Sequence, residues 1–179
     1  MLQPQLLPAW LSGVAAIVAL CISVWAVART GAVERRRDIL QARGIAVAVY
    51  PEILKLPTTI QQAREYLKAA ASSNPGFAGQ MIAASLQAAS TIALPSMLER
   101  NIDRLFLLGD TAGPACLQLV AIIEQHNDLA ADIASRAVMM RPEQWPEAYG
   151  HLRDSLDLLA AVIAKCEHEL APIHDSIKG

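Results

Sequence analysis

Between Ala9 and Ala28 the chain carries no charged side chain (AWLSGVAAIVALCISVWAVA), and the next residue is Arg29. At about 1.5 Å rise per residue, a helix of that length spans about 30 Å, the thickness of a bilayer's hydrocarbon core. Arg29, Arg35, Arg36, Arg37 and Arg43 follow the run, whereas residues 1–8 (MLQPQLLP) hold no Lys or Arg. Basic residues flanking a span stay on the cytoplasmic side. The expectation is a short non-cytoplasmic N-terminus over 1–8 and a transmembrane helix over 9–28. A basic juxtamembrane segment over 29–43 and a cytoplasmic helical domain over 44–179 come next. Such a chain would sit in a membrane of the bacterial inner-membrane type. Trp10 and Trp25 lie near the ends of the run, where indole rings favour the headgroup interface.

A cleaved signal peptide is the rival reading. It would place its basic residues before an apolar core of about 7–15 residues. Here the basic residues come after a longer run, although residues 26–28 do offer an Ala-x-Ala triplet. Within the run, Ala15, Ala19 and Ser23 share one helix face, a spacing of small residues that lets two membrane helices approach closely.

The charge is split. Residues 1–43 set Arg29, Arg35, Arg36, Arg37 and Arg43 against Glu34 and Asp38, a net +3; in a chain of net −2 the remainder therefore carries −5. The arginine collar faces lipid headgroups, where each basic residue contributes about 1 kcal/mol on an anionic surface. The acidic remainder repels phosphate backbones, and an aromatic content of 4% leaves little for base stacking. The lipid bilayer is thus an expected partner, through Ala9 to Ala28 and the collar, and nucleic acid is not. Cys21, Cys116 and Cys166 are far apart and form no CxxC, so neither a zinc ribbon nor a redox motif is signalled. Their expected role is packing.

Beyond the collar the patterning is helical, and the fold class expected is all-α: an antiparallel bundle of about four to five helices. Ala46, Val49, Ile53, Leu56, Ile60, Ala63 and Leu67 follow a 3-4 alternation, one apolar stripe. Pro51 and Pro57 interrupt it, so a kink or break is expected there, with Thr58 and Gln61 as a capping box after the second. Residues 73–76 (SNPG) read as a turn. Residues 69–98 hold no charged side chain. Their polar and proline interruptions argue against a second span and for a buried helix near 78–93.

Pro95 fits the first turn of a further helix, with Leu98, Ile102, Leu105 and Phe106 inward and Glu99, Arg100, Asp103 and Arg104 outward. Gly109 should stop it, and Asp110 or Thr111 should cap the next helix, with Pro114 in its first turn. That helix buries Cys116, Leu119, Ile123, Ala130, Ile133 and Ala137. After a connection over 139–144, a last helix carries Trp145, Tyr149, Leu152, Leu156, Leu159, Ile163, Cys166, Leu170, Ile173 and Ile177. This 4-3 stripe runs for about four heptads, as in a bundle or coiled coil, and Pro172 should kink or end it.

Chemistry is harder to find. The Glu-x-x-His pairs of di-iron bundles and the HExxH of zinc proteases are absent from the sequence. His151, His168 and His174 share the last helix at spacings that do not bring them together, and Glu147 with His151 reads as an exposed i, i+4 pair. His126 continues an apolar stripe and reads as a hydrogen-bonded core residue. The turn over 109–114 lacks the Lys-Ser/Thr of a phosphate-binding loop and reads as a connector. No catalytic, cofactor-binding or metal site is expected, and the chain is not expected to be an enzyme. The leading expectation is a membrane-anchored helical interaction or scaffold module that meets a second copy or a protein partner. The alternative is a membrane-perturbing or lipid-contacting protein of phage or toxin type, resting on the uncharged 69–98 segment.

Overall fold

A computed structural model describes residues 6–72 and 91–176. The described chain is helical, with no strand among the described residues. Helix α1 runs Leu6–Ile53, α2 Leu56–Ser72, the short α3 Ser96–Arg100, α4 Gly109–Arg136 and α5 Trp145–Asp175. A 3-10 helix, Ile102–Leu108, joins α3 to α4, and two 3-10 turns, Ala137–Met139 and Pro142–Gln144, join α4 to α5. The chain divides into two compact units, Met1–Gln41 and Ala42–Gly179.

The first unit is a stretch of α1. Leu20, Ile22, Val24, Trp25 and Val27 are each more than 60% exposed. Cys21 and Ser23 between them are exposed too, and at 100° per residue the seven positions point to all sides of the helix, so its described surface there is uncovered all round. Trp25 lies under the Arg29 guanidinium, 5.1 Å from ring centroid to carbon, a cation–π contact. Thr30 donates its hydroxyl back to the Val27 carbonyl at 3.0 Å. A polar side chain on an apolar helix thereby satisfies its own hydrogen.

The second unit has one continuous core. The stripe Ala46, Val49, Ile53, Leu56, Ile60, Ala63 and Leu67 is buried throughout. The chain keeps this face inward although the helix breaks within it. Pro51 does not end α1; it sits in the last turn, and the break falls at residues 54–55. There Leu54 N bonds Tyr50 O at 3.1 Å and Lys55 N bonds Glu52 O at 3.2 Å, so the final turn tightens as it closes. Pro57 occupies the first turn of α2, where a missing N–H costs nothing. Gln61 does not reach back to cap α2; its amide donates forward to Glu65 at 3.1 Å.

The turn expected at 73–76 and most of the helix expected near 78–93 lie outside the described residues. Residues 91–95, which are described, are not helical. They are held by a side chain: Asn127 on α4 accepts from Ile92 N at 2.9 Å and donates to Ile92 O at 3.0 Å. The amide thus serves Ile92 as a neighbouring strand would. Pro95 lies just before α3, extended at ψ 126°, rather than in its first turn. The cap of α3 comes from a distant residue. Glu52 on α1 accepts from Ser96 Oγ at 3.0 Å and from Met97 N at 2.8 Å, placing a carboxylate against helix N–H groups.

After Arg100 the winding changes. Leu105 and Leu108 are buried, but Ile102 and Phe106, expected inward, are exposed, at 38% and 69%. A 3-10 helix has three residues per turn rather than 3.6, so the buried row runs i, i+3 and Phe106 rotates outward. Gly109 turns the chain with φ 91°, a conformation favouring glycine. Neither Asp110 nor Thr111 caps α4 through its side chain. The turn itself sets the start of the helix.

Helix α4 then buries Cys116, Leu119, Ile123, Ala130 and Ile133, with Ala137 just beyond it. Ile102–Arg136, the 3-10 helix and α4 together, is one stretch long and apolar enough to cross a membrane by length and composition. Its inner face is core, and Asp110, Glu124, Asp128 and Asp132 lie away from that face, the amphipathic pattern of a bundle helix.

Along α4 and α5 three contacts fix the register: Ala115 with Cys166, Gln118 with Lys165 and His126 with Ser155. One number rises as the other falls, so the two helices are antiparallel. The α5 stripe is buried from Trp145 through Leu152, Leu156, Leu159, Ile163 and Cys166 to Leu170, with Tyr149 and Ile173 half-buried. Pro172 lies inside the last turn, and α5 stops at Asp175. The earlier chain packs on α5 as well: Tyr50 meets the His174 ring at 4.7 Å, and Arg64 on α2 pairs with Asp157.

Asp157 is therefore not an idle surface residue, yet both partners are well exposed, with side chains at 36% and 57%. Asp157→Ala is expected to cost less than about 1 kcal/mol, since exposed pairs are screened and entropically costly to hold. Thermal unfolding of Asp157→Ala and Arg64→Ala checks this. A larger loss would make the pair a principal link between α2 and α5.

Candidate functional site

The chemistry-bearing side chains of the second unit gather along the α4–α5 seam. His126 is fully buried, continuing the apolar row between Ile123 and Ala130, and its Nδ1 lies 3.0 Å from Ser155 Oγ on α5. A histidine on a packed face needs a polar partner from the facing helix, and the i+3 spacing of Leu152 and Ser155 brings one to the edge of the same seam. Asn127, the next residue, points the other way, to Ile92. Adjacent residues 100° apart on one helix thus anchor two different neighbours.

Further along the seam Cys116 and Cys166 are both fully buried and free. Cys166 faces the Ala115–Cys116 segment of α4. The Cys166 thiol has an acceptor in the Ala115 carbonyl, at 3.0 Å. The sequence separates the two segments widely; the antiparallel register brings them together. Cys21 is exposed on the first unit.

At the start of α5, Trp145 and Tyr149 stack with centroids 5.8 Å apart. Burial of the Tyr149 hydroxyl raises its pKa, because the phenolate is penalised most by lost solvation. The other histidines are dispersed. His151 lies 3.7 Å from Glu147, both well exposed, as the i, i+4 spacing implies. His168 is exposed, and His174 is shared between the Tyr50 ring and Asp175. Among the described residues no group of three or more His, Cys, Asp or Glu side chains is placed to hold a metal ion.

No family model matches the chain, and no curated protein and no solved structure is significantly similar to it.

The turn over 109–114 is occupied by packing. A Cβ built on Gly113 would lie 2.6 Å from the Leu105 carbonyl oxygen. The turn is the place where α4 presses against the 3-10 helix, and glycine is what that approach requires. Ala112 and Ala115 beside it are buried as well. Sequence reasoning does not single out Gly113 for this role, nor Glu52, Asn127 and Ser155 as partners. Each acts across a tertiary contact that no local pattern announces.

Proposed function

We propose that the chain is a membrane-anchored helical interaction module, held by the helix over Ala9 to Ala28 with residues 29–179 on the cytoplasmic face. The observation that carries this reading is the uncovered apolar surface from Leu20 to Val27, immediately before Arg29 and the arginines beyond it. An apolar helix surface of that extent is stable where lipid covers it, and the collar sets its direction. The bundle supplies a rigid platform. Phe106 and Met139 remain exposed on it, at 69% and 80%, and offer apolar contact points to a partner.

The test has two arms in a bacterial host. A reporter enzyme active only in the cytoplasm, fused after Gly179, is expected to be active, and a periplasm-dependent reporter inactive; the reverse result overturns the orientation. Photo-crosslinking residues placed at Phe106 and Met139 in native membranes are expected to capture protein, a second copy or another chain. Capture of lipid alone would overturn the interaction reading in favour of a lipid-contacting one.

A further inference from the structure

We infer that the chain pairs with a second copy of itself along one face of α1, as a parallel two-helix coil running from the membrane into the collar. The inference rests on the anchor reading above and names its partner. Ser12, Ala19, Ala26, Val33 and Leu40 recur at intervals of seven, and Ala16, Ser23, Thr30 and Arg37 fall between them, each four residues on. The 4-3 alternation is unbroken over four heptads, all within the first unit. Such a period, kept for that length, marks one helix packed on another. A straight helix drifts by about 20° per heptad, and only supercoiling about a partner keeps the row facing inward. Contact with lipid alone sets no such period. Within the anchor the row holds only Ala and Ser, and every larger apolar residue lies off it. Small side chains let two helices approach closely in lipid, where packing drives association. Thr30 returns its hydroxyl hydrogen to the Val27 carbonyl, so that donor is satisfied within the helix. Beyond the anchor, where water surrounds the helix, the row turns to Val33 and Leu40, 61% and 66% exposed. Ile39 is the one other large apolar residue of 29–41. An aliphatic row in water is stabilised by being covered.

Charge complementarity selects the occupant. Two anchored copies meet side by side and point the same way, so equal residue numbers lie opposite each other. With Val33 and Leu40 at the d position of the heptad, Arg29 takes the flanking g position and Glu34 the e position. In a parallel coil g of one helix pairs with the following e of the other. Arg29 therefore meets Glu34 of the second copy, and the two-fold axis makes the pair twice. Trp25 covers the Arg29 guanidinium from one side, which leaves its N–H fork for a carboxylate. Arg37 is the one charged side chain on the row. A charge at a single core position costs stability and fixes the register and the number of strands. Its long stem lets the guanidinium reach out to water.

The experiment uses the full-length chain in native membranes carrying Cys21→Ser, which removes the exposed thiol and leaves only buried ones. Oxidation with copper phenanthroline is expected to join two copies through Val33→Cys and through Leu40→Cys. Arg35→Cys should give no link, since residue 35 lies about 160° round the helix from Val33. The linked species should have twice the mass of the chain and return to single chains on reduction. Resistance to alkaline extraction is read on the same membranes. A chain that stays in the membrane but links at none of the three positions, or at all three alike, would overturn the pairing and leave the anchor standing. A chain washed out by alkali would overturn the anchor and the pairing with it. A link from residues 33 and 40 to a different protein would overturn the second copy as the occupant. In detergent micelles, Arg37→Leu should tighten self-association and Glu34→Lys weaken it, each by about tenfold. Adding Arg29→Glu to Glu34→Lys should restore the native value. An Arg37→Leu chain no tighter than the native one, or a Glu34→Lys chain as tight, would overturn the parallel register.

Discussion

Leu159→Ala is expected to cost the folded state about 2–5 kcal/mol, the range for emptying a packed leucine site. Leu159 is fully buried, and so are Leu152, Leu156, Cys166 and Leu170 along the same face of α5. That face meets α4 on one side and α2 on the other. The hole left by three carbons and their hydrogens therefore opens inside the core, and closing it would require the packed helices around it to move. Leu159→Asp is expected to cost more, because its carboxylate would be buried without a partner. The neighbouring Leu158, 48% exposed, is the control. Leu158→Ala should change stability by less than about 0.5 kcal/mol, as surface substitutions do. Thermal or urea unfolding of the three variants in detergent, followed by circular dichroism, measures the differences. Equal stabilities for Leu159→Ala and Leu158→Ala would mean that the stripe is not a packing surface.

Gly113→Ala is expected to destabilise by about 1–3 kcal/mol, against the usual sign for this exchange in a helix. In an open helix interior alanine is favoured over glycine by about 1 kcal/mol. Here the added methyl would lie 2.6 Å from the Leu105 carbonyl oxygen and 3.3 Å from its carbon. These are backbone atoms of the 3-10 helix and cannot swing aside as a side chain would. Relief requires α4 to withdraw from Ile102–Leu108, loosening the buried Leu105 and Leu108. Gly150→Ala on α5, where a Cβ meets nothing within 4 Å, provides the contrast and should be neutral or stabilising. If Gly113→Ala proved as harmless as Gly150→Ala, the close approach at that point would be refuted.

The parts of the fold legible in the sequence are those in which burial follows a helical period. The row from Ala46 to Leu67 and the row from Trp145 to Leu170 can be named residue by residue, because 3-4 spacing places such residues on one face whatever that face meets. The first row stays inward even where Pro51 and Pro57 make the position of the break ambiguous. The helix ends between them, at residues 54–55, with Ile53 and Leu56 buried on either side of the break. Phe106 marks where this reasoning fails. An α-helical period places it inside, and a change to three residues per turn moves it out. The close approach of Gly113 to the Leu105 carbonyl falls in the same segment.

By itself, then, the sequence determined the all-helical class, the inward faces of the long helices, the glycine turn at Gly109 and the buried setting of His126. All of these follow from short-range sterics and from the periodicity of apolar side chains, which the order of residues states directly. The tertiary structure decided what meets what. It set Glu52 on the first turn of α3, Asn127 on the backbone of Ile92, Ser155 on His126, and Cys166 against the Ala115 carbonyl. These partners lie between 29 and 51 positions apart in the chain. Their meeting depends on where two helices cross and in what register, and that is fixed by the closest packing of the whole core rather than by any segment of it.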